Sequence, residues 1–270
     1  LRYALTANAP ETKDNDFTWK DFQARNNNEL AAIFGNFINR VVVLTHKYYN
    51  GIVPQPNELT EVDEQTLAEL KAYPAVITSS IERYRFREAL GEMMNVARLG
   101  NKYLADEEPW KMVKENPERV KTQMYVALQI ASALAILAEP FLPFTSTKLK
   151  NILNIESNAW DLDFKQWNLV KPEHEIGKAE ILFAQIEDAW VYFNNKPSAA
   201  TFLANPLTML TQRALDRRFA QNISLDVTDV PVEQSYITQI AASTGITVMA
   251  KSRWMNALHI RGTQTNIQAL

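Results

Sequence analysis

The sequence predicts a mainly α-helical protein in which an antiparallel helical bundle is followed by a small α/β unit. Between Glu29 and Leu153, apolar side chains recur every three or four residues among recognisable helix starts, which is typical of helices that bury one face. After about Asp188, short alternating runs replace this pattern. The chain has 270 residues, 46% of them hydrophobic, which is enough to fill real cores. We therefore expect two domains, residues 1–187 and 188–270.

The first long helix is predicted between Glu29 and Tyr49. A start signal at Thr18 and Asp21 introduces a short helix before it. Asn50-Gly51 follows the long helix and is suited to a helix end. The apolar stripe of this long helix consists of Leu30, Ile33, Phe34, Phe37, Val41, Leu44 and Tyr48.

Further helices follow with short connections, which indicates a bundle of four or five antiparallel helices. Thr60 and Asp63 repeat the start signal, and Asn116-Pro117 is a cap followed by a first-turn proline. The predicted helical spans are 60–104 with a kink or break at Pro74, 117–140, and 145–153.

The remaining residues have other patterns. Residues 155–178 have little periodicity and scattered aromatic side chains, as expected of a tail packed across a bundle: Trp160, Phe164 and Trp167. From about residue 189 we expect a ferredoxin-like α/β unit. Its predicted elements are a strand at 190–193, helices at 205–220 and 231–245, and strands at 246–250 and 254–260.

Composition limits the classes of function. The net charge of -3 provides no global positive field for nucleic acid, so any RNA contact must be local, and we expect no DNA partner. Zero cysteines exclude disulfides and thiolate metal ligands and fit a reducing, cytoplasmic compartment. The three histidines are far apart, so we predict no metal site. We also expect no membrane helix and no signal peptide, and a start at Leu1 rather than Met suggests a fragment.

Several motifs in register resemble bacterial methionyl-tRNA synthetases. The opening LRYALTANAPE is similar to the connection that follows their catalytic domain, and GKAEILFAQIED at 177–188 is similar to the end of their helical domain. The motifs between are DFTWKDFQAR at 16–25, GNFINR at 35–40, YRFREALGEMMNVARLGNKY at 84–103 and EPWK at 108–111.

The resemblance implies a class I synthetase anticodon-binding domain that grips the anticodon stem-loop of methionine tRNA. In that family, a separate catalytic domain activates methionine with ATP. Its signatures, His-Ile-Gly-His and Lys-Met-Ser-Lys-Ser, do not occur in this sequence. We therefore expect no catalytic residues, no ATP or other cofactor bound by this chain, and no aminoacylation by it alone. The sequence leaves the oligomeric state open.

Four residues match the family's anticodon readers: Asn36, Arg40, Pro109 and Trp110. Trp110 offers a plane on which a splayed-out base can stack, worth about 1–3 kcal/mol per base. Asn36 and Arg40 are one helical turn apart and offer an amide and a guanidinium to one base edge. Without the resemblance, the Pro-Trp pair would be read as a packing anchor and the Asn/Arg pair as a solvated helix flank.

Other charged residues carry weaker signals. We interpret His46 as structural, and Glu107 with Glu108 as a solvated loop rather than an acid/base pair. For five cations, contact with tRNA stem phosphates and ordinary pairing with helix-surface glutamates remain equally open: Arg83, Arg85, Arg87, Arg98 and Lys102.

Residues 189–270 resemble another family. AWVYFNNKP, NPLTMLTQRALDRRFAQNISLDVTDVPV and SRWMNALHIRG are similar to the prodomain of secreted subtilisin-like serine proteases of Bacteroides-type bacteria, which assists folding and blocks the active site. The protease's own aspartate, histidine and serine motifs are absent. A fused or misjoined reading frame near Asp188 and a genuine appended domain both remain open.

Two functions follow from these resemblances. The leading hypothesis is tRNA anticodon recognition as the C-terminal part of a methionyl-tRNA synthetase. The alternative is a protein-binding or inhibitory prodomain carried by the C-terminal segment. A third possibility, a helical scaffold without a ligand, predicts a buried Trp110, whereas RNA recognition needs one face of that ring to be accessible.

Overall fold

The computed structural model describes residues 1–11, 14–155 and 169–270. Within these ranges the chain divides into two compact units, Leu1–Ala184 and Gln185–Leu270, and each is described by itself below. The predicted tail aromatics Trp160, Phe164 and Trp167 lie outside the described residues.

Helices form the first unit. A π-helical segment, Asn26–Gly35, runs directly into the first long α-helix. The α-helices are α1 (Arg2–Ala7), α2 (Trp19–Arg25), α3 (Asn36–Tyr49), α4 (Glu61–Glu82), α5 (Phe86–Glu107), α6 (Pro109–Glu115), α7 (Pro117–Leu137) and α8 (Pro143–Leu153).

The helix starts agree with the sequence signals. Thr18 Oγ1 accepts a hydrogen bond from the backbone N–H of Asp21 at 3.1 Å, and Thr60 and Asp63 form a reciprocal capping box. Asn116 Oδ1 caps α7 by accepting from the N–H of Arg119 at 3.0 Å. These short-range bonds satisfy backbone donors that a helix leaves free, which explains why they are readable from sequence.

A kink or break was predicted at Pro74, and the helix does not break there. Helix α4 continues through Pro74 to Glu82. Pro74 is buried, so tertiary packing holds the helix through it despite the lost backbone donor. The chain turns instead at Tyr84, whose backbone adopts the left-handed conformation with a φ of 59°. Helix α5 then begins at Phe86.

Helix α7 forms the centre of the bundle. Helices α3, α4, α5, α6 and α8 all pack against it, and its side chains are almost entirely buried from Val120 to Leu137. By length and composition, α7 could cross a membrane, but 89% of its most apolar window is buried inside this unit. Its apolar character is therefore accounted for by its place in the core.

The described part of the tail, from Leu169 onwards, packs on the bundle. The buried Gln129 amide donates to Val170 O at 2.7 Å and accepts from Leu169 N at 2.9 Å. His46 Nε2 lies 2.7 Å from Gly177 O. Because a carbonyl oxygen only accepts, Nε2 carries the proton, and His46 has the structural role expected of it.

The second unit is a small α/β fold. Strands β1 (Ile186–Tyr192), β2 (Thr247–Ser252) and β3 (Ala257–Thr263) form an antiparallel sheet in the order β1-β3-β2. Both outer strands run antiparallel to β3, so they are parallel to each other, which is the split βαβ arrangement. Its helices are α9 (Ala199–Ala204), α10 (Gln212–Ala220), α11 (Gln234–Ala241) and α12 (Gln264–Gln268), with 3₁₀ turns at Pro206–Thr208 and Val227–Asp229.

The predicted fold class, a mainly α bundle followed by a small α/β unit, is confirmed. Several boundaries in this unit differ from the prediction, among them those of the first strand and the first helix. Strand β1 begins at Ile186, before Trp190, and the helix predicted at 205–220 is a 3₁₀ turn followed by α10. Thr211 accounts for this break, because its hydroxyl caps the N–H of Ala214 and starts a new helix.

Candidate nucleic-acid interface

The four predicted site residues come from two places in the bundle. Asn36 and Arg40 lie on α3, and Pro109 and Trp110 begin α6. The guanidinium carbon of Arg40 lies 4.7 Å from the centre of the Trp110 ring, a cation–π contact. Pro109 is buried, Trp110 and Arg40 are half-buried, and Asn36 is exposed. The structure therefore brings the charged and the aromatic side chain into direct contact beside an exposed amide.

Glu107 fixes the corner that carries Trp110. Its carboxylate accepts from Arg119 Nη2 at 2.6 Å and from Gln123 Nε2 at 2.8 Å, and Gln123 also donates to its backbone carbonyl at 3.1 Å. The backbone of the next residue, Glu108, adopts the left-handed conformation with a φ of 42°. Helix α7 thus holds both the side chain and the backbone of the residue that precedes the Glu108 turn.

The solvated-loop interpretation of Glu107 is therefore wrong. Its side chain is only 17% exposed in the ion pair with Arg119. Glu108 pairs with Lys111 on the surface at 2.7 Å. Nothing in the local sequence identifies Glu107 as the less exposed member of the pair, because its partners come from another helix.

Asp63 extends the same network to α4. Its side chain is fully buried and accepts from Arg119 and from the Tyr103 hydroxyl. Burial alone would raise the pKa of Asp63, but the hydrogen bonds from Arg119, Tyr103 and Thr60 outweigh it and hold the pKa below its usual value. The ionised cluster joins α4, α5 and α7 behind the α5–α6 corner.

Asn101 is a neighbour of the site that the sequence did not single out. It lies on α5 and accepts a hydrogen bond from Asn36 Nδ2 at 3.3 Å. The preceding Gly100 permits this approach, since a Cβ there would lie 2.3 Å from the buried ring of Phe37. The Gly-Asn pair within the motif at 84–103 was the available signal, but its partner on α3 is distant in sequence.

The five cations left open by the sequence differ in their contacts. Arg85 pairs with Glu88 at 3.4 Å, and Arg98 donates to Asn95 at 2.8 Å. All five residues, Arg83, Arg87 and Lys102 included, are exposed. Over residues 1–11, 14–155 and 169–270, no group of three or more metal-ligating side chains is placed to hold an ion.

Comparison with known families decides what this fold is. Residues 53–196 match the anticodon binding domain of methionyl tRNA ligase, and residues 1–42 match the class I tRNA synthetases for methionine. The chain belongs to the methionyl-tRNA ligase anticodon-binding family. Asn36 and Arg40 lie in the match at residues 1–42, and Trp110 lies in the match at residues 53–196.

Curated relatives support the assignment. The methionine–tRNA ligase of Flavobacterium psychrophilum is 72% identical over 206 residues, covering 76% of this chain and 30% of that protein. The corresponding ligase of Flavobacterium johnsoniae is 65% identical over 232 residues, covering 76% of this chain and 33% of that protein. The chain thus spans about a third of the length of these relatives.

Solved structures share the fold. Methionyl-tRNA synthetase of Mycobacterium tuberculosis in its free state matches with a TM-score of 0.61 and 23% identity, covering 68% of this chain and 38% of that one.

Residues 188–270 match a different family, the peptidase S8 propeptide domain of Bacteroidota. The two resemblances read from the sequence are therefore both found among known families.

Proposed function

We propose that this anticodon-binding domain binds the anticodon stem-loop of methionine tRNA in the cytoplasm, with Asn36, Arg40 and Trp110 contacting the first anticodon base and the buried Pro109 positioning Trp110. The observation that carries the proposal is the Arg40 guanidinium held over the half-buried Trp110 ring, beside the exposed Asn36. The ring also packs against the core of the bundle, and the part of it that stays accessible is available to a base.

Exchange of Arg40 for a base on the ring is energetically feasible. A cation–π contact is worth about 0.5–1 kcal/mol at an exposed site and about 2 kcal/mol or more when desolvated, which overlaps the about 1–3 kcal/mol of base stacking on an aromatic side chain. We propose that a splayed-out base displaces the guanidinium from the ring. Arg40 remains within reach and donates to acceptor atoms on the base edge or to phosphate.

The rest of the site serves to hold this arrangement. The buried Pro109 and the clamped Glu107 fix the start of α6, so the ring is positioned before RNA arrives. Preorganisation of this kind reduces the ordering cost of binding. In the full-length ligase, the site would select the tRNA to which a catalytic domain attaches methionine with ATP.

A mobility-shift titration tests this function. The chain is titrated against a methionine anticodon stem-loop and against the same loop with a changed first anticodon base. We expect binding to the first and at least tenfold weaker binding to the second, about 1.4 kcal/mol. Equal affinity for both loops, or no binding to either, would contradict the proposal.

The propeptide match supports a second candidate function for residues 188–270. We propose protein binding by this unit, with a subtilisin-like protease of Bacteroidota as the partner. The test is inhibition of such a protease by the intact chain, with a chain ending at Ala184 as the control. Equal inhibition by both, or by neither, would argue against it.

A further inference from the structure

We propose that Asn101 is a positioning residue that turns the Asn36 amide so that its oxygen faces the anticodon base. The proposal rests on the proposed function and adds a residue to it. Asn101 touches Asn36 rather than the ligand, so its effect would be on which base is accepted.

The orientation of Asn101 follows from its own hydrogen bonds. Its Nδ2 lies 2.9 Å from Ile33 O and 3.0 Å from Ala97 O. A backbone carbonyl accepts but never donates, so only the amide nitrogen can satisfy both neighbours. The Oδ1 atom of Asn101 is consequently left facing α3.

This orientation determines that of Asn36. Asn101 Oδ1 offers only lone pairs, so the group of Asn36 that approaches it at 3.3 Å must be the nitrogen. The Asn36 oxygen then points away from Asn101, and the side chain is exposed. Asn36 therefore presents a hydrogen-bond acceptor to the ligand.

An outward acceptor selects among bases. Cytosine and adenine carry an exocyclic amino group, which donates to such an oxygen. Uracil and guanine carry a carbonyl oxygen at the equivalent position, which would set two acceptors against each other. The amide pair thus favours cytosine over uracil at the base that Asn36 contacts.

The pair is built into the backbone before any RNA binds. Ile33 belongs to the π-helical segment that precedes Asn36, and Ala97 lies one turn before Asn101 on α5. Gly100 allows the two helices to approach closely enough for the bond. The amide orientation therefore requires no ordering when the loop docks.

The test measures the ratio of affinities for stem-loops with cytosine and with uracil at the first anticodon position, together with melting temperature. Asn101→Ala frees the Asn36 amide to rotate, so the ratio should fall about tenfold. Asn101→Asp keeps an acceptor towards Asn36 but loses both donors to the carbonyls. It should keep the ratio while the melting temperature falls.

Two controls separate positioning from general damage. Asn95→Ala removes another amide of α5, bonded to Glu92 and Arg98, and should leave the ratio unchanged. In an Asn36→Ala background, Asn101→Ala should produce no further change in the ratio, because the two residues act as one unit.

The outcomes are distinct. If Asn101→Ala lowers the melting temperature but keeps the wild-type ratio, Asn101 is only structural and the inference fails. The same holds if Asn101→Asp abolishes the ratio as fully as Asn101→Ala does. If the wild-type chain does not bind, or binds both loops equally, the proposed function itself fails.

Discussion

The Arg40 guanidinium lies over the Trp110 ring, 4.7 Å from its centre. This contact joins α3 to the start of α6, and two helices, α4 and α5, lie between them in sequence. It makes the two side chains a preformed pair in the absence of RNA. Substitution of either one should therefore alter the surroundings of the other.

Trp110→Ala should weaken stem-loop binding by about 1–3 kcal/mol, because the base loses its stacking surface. The ring is only half-buried, so the loss of folding stability should be smaller than the about 3–5 kcal/mol typical of a core aromatic. Trp110→Phe should keep part of the binding. Affinity and melting temperature are measured on the same samples.

Trp190 provides the matched control, since it is also partly exposed and lies in the second unit. Trp190→Ala should leave stem-loop affinity unchanged. A large fall in melting temperature for Trp110→Ala, with unchanged discrimination per folded molecule, would show that Trp110 is a packing anchor instead.

Sequence patterns predicted what depends on neighbours along the chain. The caps at Thr18 and Asn116 were readable because each side chain accepts from a backbone N–H three residues on. The start at Thr60 was readable because Asp63, three residues on, accepts from its backbone N–H. The placement of Asn36 and Arg40 on one helix followed from their spacing.

Features that depend on distant partners were not predicted. The partial burial of Glu107 requires Arg119 and Gln123 from α7, and the role proposed for Asn101 requires Asn36 from α3. Helix α4 passes through Pro74 because packing outweighs the local cost of proline. Each of these needs the relative positions of helices, which periodicity does not determine.

The two compact units should behave as separate folding units. A chain ending at Ala184 retains its own large core and should bind the stem-loop with the affinity of the full chain. Calorimetry of the full chain should show two transitions, and limited proteolysis near residues 187–205 should leave a folded bundle. A single cooperative transition, or loss of binding by the shorter chain, would contradict this organisation.

The chain alone should not activate methionine. Neither adenylate-forming signature of the class I enzymes occurs in its 270 residues. Methionine-dependent exchange of pyrophosphate into ATP should stay at background, with a full-length methionine–tRNA ligase as the positive control. Exchange clearly above background would mean that the sequence carries a catalytic centre of another kind.

Gly100→Ala should destabilise the bundle by about 1–3 kcal/mol, because the new Cβ would overlap the buried Phe37 ring. The same displacement should separate Asn101 from Asn36 and reduce base discrimination. Gly91→Ala is the control on the same helix, since nothing lies within 4 Å of a Cβ there. That change should stabilise α5 by about 0.5–1 kcal/mol. Chemical denaturation of both variants measures the difference.

The buried Asp63 should make the stability of the bundle sensitive to acid. Its pKa in the folded state lies below the ordinary value of 3.8 because hydrogen bonds from Arg119, Tyr103 and Thr60 outweigh the effect of burial. The unfolded chain therefore binds a proton at a higher pH than the folded one does. The contribution of Asp63 is present in full above about pH 5 and is lost as the pH falls through 3.8 towards the folded-state pKa.

Asp63→Asn should be less stable than the wild type at pH 7, because Arg119 loses a buried anionic partner. As the pH is lowered below about 4, the unfolded wild-type chain takes up a proton at Asp63 before the folded protein does, so the unfolding free energy of the wild type should fall towards that of Asp63→Asn. Tyr103→Phe removes one donor to Asp63. This change raises the folded-state pKa of Asp63 and should reduce the pH-dependent part of the free energy of unfolding. Urea titrations between pH 3.5 and pH 7 measure all three proteins. A difference between wild type and Asp63→Asn that stays constant over this range would show that Asp63 is not the group whose ionisation stabilises the bundle.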